Sequence, residues 1–441
     1  MTFTIALQFL VVLAAIWMGA RSSGVGLGLW GAVGLLVLVA GFGINPTSPP
    51  IDVMLIILAV IMAASVMEAA GGIDFLVRIA ERIIRANPKY VTLVAPLTTW
   101  TFTFVAGTGH IVYPLLPVIY ETAHRSGIRP ERPMAVATIA SQQAITASPV
   151  AAATAAMIGL FADKGIAHWG LAQVLMICVP ATLTGVVAAA IVSMFVGKDL
   201  KDDPEYQARL AAGQIPAPQA DTERAPLQPG AKLSAFIFLT GVALVVLFGF
   251  FPSLRQLPGA KSPLAMPLVI EILMMSVAAI MLLLTKVPVD EVPKTATLRA
   301  GVVAVIGIFG LAWLGDSFIA ANKDVIVPAI GDWAKVAPWT FAFGLFLASV
   351  LLYSQAATTR ALMPLGIALG IPPQFLIAMF PSVNGYFFIP TYGSLIAAIN
   401  FDLSGTTKIG KYVLNHSFMI PGLVATSVAV FTGLLIAQAI F

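Results

Sequence analysis

The sequence predicts an all-α polytopic membrane protein: an inverted-topology repeat with five spans and one re-entrant hairpin per half, and two broken helices. Three observations carry this. The 441-residue chain is 59% hydrophobic and only 10% charged, where a soluble domain carries about 25% charged residues. Apolar runs of bilayer-crossing length, about 20 residues each, recur from end to end. The cations also divide unevenly between the two sides that those runs define, 18 against 5, with Arg360 left inside the membrane.

The first half, residues 1–197, reads as spans near 3–20, 24–43, 51–70, 134–162 and 168–197. Its first cation, Arg21, follows the opening apolar run, which argues for a retained first helix over a cleaved signal peptide. An apolar stretch at about 90–123 is too long for one helix and is interrupted at "AGTGH" (Ala106 to His110). Residues 198–232 form the one long polar tract; its mixed charges, prolines and alanines mark a cytoplasmic linker that need not pack. The second half, residues 233–441, has spans near 233–252, 264–286, 300–321, 372–400 and 412–440, with an interrupted stretch at about 338–371 before the fourth. If each interrupted stretch enters and leaves on one side, the ten spans alternate and the 18-to-5 cation split emerges. If each crossed instead, the asymmetry would collapse. The positive-inside rule then puts the 18 in the cytoplasm and both termini in the periplasm. The net charge of +4 is scattered over loops, so no nucleic-acid partner is expected. The one cysteine, Cys178, allows no intramolecular disulfide, and neither metal nor cofactor is expected.

Five spans per half makes the second half enter from the opposite side, the plan of many secondary transporters. A trace survives in the residues. "AGTGHIVYPL" (Ala106 to Leu115) overlaid on "AATTRALMPL" (Ala356 to Leu365) matches Ala, Thr, Pro and Leu, and sets His110 on Arg360. "SQQAITASP" (Ser141 to Pro149) on "SVNGYFFIP" (Ser382 to Pro390) matches Ser and Pro, and sets Gln143 on Asn384. Small residues alone often serve only close helix packing, and Pro149 and Pro390 could be simple kinks. The polar clusters at mid-span point further. Thr108, Gly109, His110, Ser141, Gln142, Gln143, Thr146 and Ser148 lie in one half; Thr358, Thr359, Arg360, Ser382, Asn384 and Thr391 lie in the other. Irregular backbone at that depth must line a cavity or be buried in protein, and broken helices aim their N-terminal ends at anions.

An arginine at bilayer depth costs at least about 2.5–3.5 kcal/mol by insertion scales. Arg360 is therefore expected at the tip of the second hairpin as counter-ion to a substrate carboxylate, with Thr358 and Thr359 as hydroxyl donors. The competing reading is a buried pair with a protein acid such as Asp316, Glu271 or Glu68. His110 would serve a second carboxylate, titrate near its unperturbed pKa of about 6.5, or be a satisfied structural histidine.

The hairpin "FTFVAGTGHIVYPLLPVIYE", the broken helix "ASQQAITASPVAAA" and the C-terminal "INFDLSGTTKIGKYVLNHSFMIPG" resemble the anaerobic four-carbon dicarboxylate transporters, the Dcu type, over nearly the whole chain. The resemblance implies a multi-pass carrier of the bacterial inner membrane that exchanges fumarate, malate or aspartate for succinate. It implies kinship with the ion-transporter superfamily, in which a substrate-carrying domain works against a scaffold that commonly dimerises. The sodium-coupled branch carries Ser-Asn-Thr triplets where this chain reads "GTG", "SQQ", "ATT" and "SVN", so exchange without obligatory sodium is the expectation, with an ion-coupled carrier of another organic or inorganic anion as the alternative. Asp402, Thr406 and Thr407 in "FDLSGTT" are expected to cap helix ends, or less simply to make a gating contact. An intramembrane protease would need a nucleophile with a partnered base, and a magnesium-dependent enzyme would need clustered acids; neither pattern is present, so the protein is not expected to be an enzyme. A static channel fits an inverted repeat with two interrupted hairpins less well than alternating access does.

Overall fold

The computed structural model describes residues 3–22, 25–166, 168–215, 225–260, 262–352, 354–412 and 414–441. Among these every regular element is helical. The first half contains α1 (Phe3–Ser22), α2 (Gly26–Phe42), α3 (Ile51–Ala69), α4 (Gly72–Ala86), α5 (Val91–Ala106), α6 (Val112–Arg125), α7 (Glu131–Gln143), α8 (Ala152–Asp163) and α9 (Leu171–Ser193). After α10 (Pro204–Ala211) come α11 (Ala231–Phe250), α12 (Met266–Thr285), α13 (Ala296–Gly307) and α14 (Trp313–Val336). The chain closes with α15 (Phe341–Leu352), α16 (Gln355–Ala368), α17 (Pro373–Met379), α18 (Gly393–Phe401) and α19 (Met419–Ile440). Among the described residues six helices are long and apolar enough to cross a membrane: α3, α9, α11, α12, the run Ala296–Asn322 and α19. Each interrupted stretch is two helices meeting at a break, α5 with α6 and α15 with α16, and the members of each pair pack on one another.

Packing sorts the helices into two groups. In one, α1 lies on α2, α3 on α12 and α13, and α11 on α12. The α13–α14 run is continuous through a π-helical turn at Ile308–Ala312, and α2 packs on that turn so closely that a Cβ on Gly310 would sit 1.7 Å from the Gly28 carbonyl oxygen. Only glycine fits there. In the other group α5 packs on α7 and α9, α9 on α19, α6 on α18, and α15 on the 3-10 segment Phe380–Phe387.

Two elements lie outside the spans and interrupted stretches that the sequence predicts. The helix α4 is amphipathic: Leu76, Val77, Ala80 and Ile84 are buried at helical spacing, and Arg78, Glu81, Arg82 and Arg85 occupy the other face. Such a helix suits the plane of a membrane surface. The linker, expected to need no packing, has a docked helix, while its residues 216–224 lie outside the described residues. Asp203 caps α10 by accepting from the Glu205 and Tyr206 N–H groups, and it also accepts from Arg129. Arg129 bonds Glu131 at 2.5 Å, and Glu131 accepts from Ser417 at 2.6 Å. Arg209 donates to the Ser404 carbonyl, and the Tyr206 hydroxyl meets the His124 ring at 2.9 Å. A contiguous set of ions and hydroxyls therefore fastens α10 to α6, α7 and the loop after α18. In that loop Asp402 accepts from the N–H groups of Ser404 and Thr407 and from the Thr406 hydroxyl, so it closes the loop on itself instead of capping a helix start. Thr406 does cap one: its hydroxyl accepts from Glu131 N–H at the start of α7.

Burial opposes the charge on Asp203, but the bonds from Arg129, Tyr206 and Glu205 outweigh it and hold the carboxyl below the usual range. A lowered folded pKa gives stability that is complete above the unfolded value of about 3.9 and is lost as pH falls through the folded one. Asp203→Ala removes a cap and leaves Arg129 one partner short, so a loss of roughly 1–3 kcal/mol is expected. Thermal unfolding in detergent, with limited proteolysis at Arg209 as the local probe, checks this. Unchanged protection at Arg209 would show that α10 is held by other contacts.

A polar cavity between two hairpin tips

The first hairpin turns at Gly107, whose φ is +71°. A Cβ there would lie 2.6 Å from the Val150 carbonyl oxygen, so the tip rests directly on the break between α7 and α8. Thr108 follows in extended conformation (φ −138°, ψ 133°), and its hydroxyl accepts from His110 N–H at 3.3 Å. The second hairpin repeats the device at Ser354 (φ −146°, ψ 116°), whose hydroxyl accepts from Ala357 N–H at 3.2 Å. Between α7 and α8 the chain passes through a 3-10 turn, Ala144–Thr146, to an extended Ala151. Between α17 and α18 it passes through Phe380–Phe387, where Asn384 leaves helical geometry (φ −98°, ψ 26°).

These interruptions expose backbone polar groups, and side-chain amides and hydroxyls gather on them. Gln355 Nε2 donates to Gln142 Oε1 at 3.1 Å and to Asn384 Oδ1 at 3.0 Å. Asn384 Nδ2 donates to Gln143 Oε1 at 3.2 Å, and Gln143 Nε2 donates to the Thr426 hydroxyl at 2.8 Å. Ser141 donates to the Gly109 carbonyl at 3.1 Å and shares a hydroxyl bond with Thr103. One network thus ties both broken helices to both hairpin tips.

A cavity of about 160 Å³ lies against this network. Thr108, Gly109, His110 and Gln142 line it with Ser354, Gln355 and Tyr392, and α3 and α13 of the other helix group close it. It shares His110, Ala300, Ala304, Ser354, Gln355 and Tyr392 with a larger cavity of about 630 Å³, which adds Arg299, Thr391 and Gly393. No carboxylate lines either cavity among the described residues. Besides the start of α13 at Thr297, whose first N–H groups bond Glu68, four helix starts reach them among the described residues: the turn that leads into α6 at His110, α8 at Ala152, α16 at Gln355 and α18 at Gly393. Each start carries the equivalent of about half a positive charge.

The residues singled out from sequence therefore separate into layers. Thr108, Gly109, His110 and Gln142 face the inner cavity and Thr391 faces the outer one. Ser141, Gln143 and Asn384 stand behind them in the network. Ser148 accepts from Val150 N–H and Ser382 donates to the Met379 carbonyl, each within its own break. Thr358 and Thr359 turn their hydroxyls to the carbonyls of Ser354 and Gln355 inside α16. The tip of the second hairpin is Ser354, so the overlay that set Thr108 on Thr358 is displaced by four residues, about one helical turn.

Arg360 consequently stands off the tip and lines neither cavity. It is 2% exposed, with Nη1 3.1 Å from Asp163 at the end of α8 and Nη2 3.6 Å from Asp316 on α14. Of the acids named from sequence as alternative partners, Asp316 is adjacent, and Glu68 is committed to the Ala296 and Thr297 N–H groups. Asp163 was overlooked because it follows an apolar span like any loop acid. Ser354, Gln355 and Arg299 were missed too; a hydroxyl residue poised to cap a helix at a break is the signal that finds Ser354. Arg360→Ala should leave two acids without their cation and cost about 3 kcal/mol, and adding Asp316→Asn should recover part of that. Thermal stability and expression of the single and double variants test this; a fully stable single variant would contradict it.

The profile of the anaerobic C4-dicarboxylate membrane transporters matches residues 4–441. The chain is 40% identical over 443 aligned positions to the anaerobic C4-dicarboxylate transporter DcuB of Escherichia coli O6:H1, covering 99% of each protein. It is 41% identical over 431 positions to the C4-dicarboxylate transporter DcuA of Wolinella succinogenes, covering 98% of each. In fold it is similar to the YdaH transporter of Alcanivorax borkumensis, with a TM-score of 0.56 at 14% identity over 92% of this chain and 88% of that one. With its profile matched from end to end and its relatives aligned along their whole length, the chain belongs to the family of anaerobic C4-dicarboxylate membrane transporters.

Proposed function

We propose that this transporter binds four-carbon dicarboxylates in the cavity between the hairpin tips and exchanges external fumarate, malate or aspartate for internal succinate by alternating access. The observation that carries the reading is the convergence of four helix starts on cavities that hold amide and hydroxyl groups and, among the described residues, no acid in their lining. Four half-charges amount to about two positive charges, the complement of a dianion. Thr108, His110, Gln142, Ser354 and Gln355 supply the hydrogen-bonding groups that orient it. Gly109 keeps the tip backbone close to Gln142, since a Cβ there would lie 2.4 Å from Gln142 Nε2. The carrier names of the relatives agree with this choice of substrate.

The two halves are read as inverted repeats. Thr108 and Ser354 share one capping geometry, and Gln143 and Asn384, equivalent in the sequence overlay, bond to each other. The group holding the hairpins and broken helices would move against the group built from α1–α3 and α11–α14. Gly19 and Arg299, on the outer cavity, belong to the cation-rich side of the sequence. This conformation is therefore assigned as open to the cytoplasm, with both termini periplasmic. We assign homodimer contacts to α11 and α12, which hold Phe236 and Ile272 exposed.

Gln142→Glu is nearly isosteric and puts a negative charge into the inner cavity. Like-charge contact costs several kcal/mol, so counterflow of fumarate against succinate in proteoliposomes should fall at least about tenfold, with insertion intact. Wild-type affinity in this variant would refute the site. Single cysteines near the amino terminus and in the linker should label from opposite faces of the membrane, and cysteines at Phe236 should cross-link between copies. Labelling from one face would refute the inverted repeat, and absence of cross-links the dimer contact.

A further inference from the structure

We propose that Arg299 forms a second anion station, holding a carboxylate of the dicarboxylate in the outer cavity on its way to and from the inner one. The proposal rests on the inner-cavity reading above and adds a specificity-determining residue to it.

Arg299 lies in the first turn of α13 and, among the described residues, is the sole Lys or Arg lining either cavity. Its guanidinium is uncommitted. Nε makes one long bond to the Thr295 carbonyl, at 3.4 Å, and no acid among the described residues bridges to it. Glu68 reaches the start of α13 but spends both carboxylate oxygens on the Ala296 and Thr297 N–H groups, each at 3.0 Å. The contrast with Arg360 is chemical. That arginine is buried against two protein acids, whereas Arg299 lines a largely apolar-walled cavity of about 630 Å³.

The outer cavity is also larger than the inner one and continuous with its wall at His110, Ser354, Gln355 and Tyr392. An anion held at Arg299 would therefore lie in a cavity walled in part by the hairpin-tip residues Ser354, Gln355 and His110. A guanidinium binds a carboxylate through two parallel N–H bonds. Its field in a cleft with low-dielectric walls raises local anion concentration, more for a dianion than for a monoanion. Helix dipoles at the inner cavity complement the total charge of the substrate, and Arg299 would favour doubly charged ligands before they arrive there.

The experiment compares wild type, Arg299→Gln and Arg299→Lys in proteoliposomes of known orientation. Half-saturation for succinate is measured from each face separately, at low and high salt. Arg299→Gln is expected to raise it roughly tenfold on the face to which the outer cavity opens, and to leave the other face and the maximal rate unchanged. The difference should shrink as salt screens the charge, and Arg299→Lys should restore part of the affinity. Unchanged half-saturation on both faces would overturn the station, as would an equal rise on both, since an arginine needed only for folding acts without sidedness. Gln142→Glu in parallel separates the two readings. If that variant fails while Arg299→Gln transports normally, the inner site stands and the station falls. If Gln142→Glu transports normally, the inner site falls, and the station falls with it.

Discussion

Backbone N–H and C=O groups freed at bilayer depth find no water, so each break in a membrane helix must bring its own partners. Among the described residues there are four such breaks, two at hairpin tips and two between the halves of broken helices. Nearly every polar residue singled out from the sequence answers that requirement. Thr108 and Ser354 cap the outgoing helices, Ser148 and Ser382 bond within their breaks, and Ser141 reaches the carbonyl of Gly109 on the first hairpin tip. The amides of Gln142, Gln143, Gln355 and Asn384 then join the second tip to both broken helices, because an amide both donates and accepts and so serves several polar groups at once. The cavity is the space this network leaves open.

The same constraint accounts for where charge is absent. A buried guanidinium needs a counter-ion at every stage of a transport cycle, including the stage without substrate. Arg360 has protein counter-ions of its own in this conformation, Asp163 and Asp316. Helix starts do not need one, since their partial charges are fixed in the backbone and carry little desolvation cost when the site is empty. A cavity lined by neutral donors thus suits a carrier that must release its anion as readily as it binds it.

Much of the fold was legible because its signals are long. Apolar runs and breaks marked by Gly and Pro placed both hairpins and both broken helices close to where they form, and the overlay of "SQQ" on "SVN" paired Gln143 with Asn384, which do bond. What failed was local register. Repeated Ala and Thr allow the second hairpin to be aligned equally well one turn away, and that slip carried Arg360 onto a tip that Ser354 and Gln355 occupy. The helices α4 and α10 escaped for another reason: both are short and rich in charge, and what holds α10 is side-chain bonding to residues far along the chain. No window of sequence displays those contacts.

The placement of Arg360 nonetheless ties it to the cavity through α16. Gln355 opens that helix at the hairpin tip and Arg360 lies five residues on, about 7.5 Å along a rigid rod. The helix α8, which carries Asp163, packs on α16, so this ion pair belongs within one packed group. Asp316 sits on α14, in the other group, at the longer distance of 3.6 Å. In the alternating-access reading proposed above, a shift of the hairpin at Gln355 would carry Arg360 relative to Asp316 on α14 while Asp163 on the adjoining α8 stays close to it. An acid on each side of the guanidinium would then keep it neutralised through such a movement, so that no unpaired ion would face the hydrocarbon.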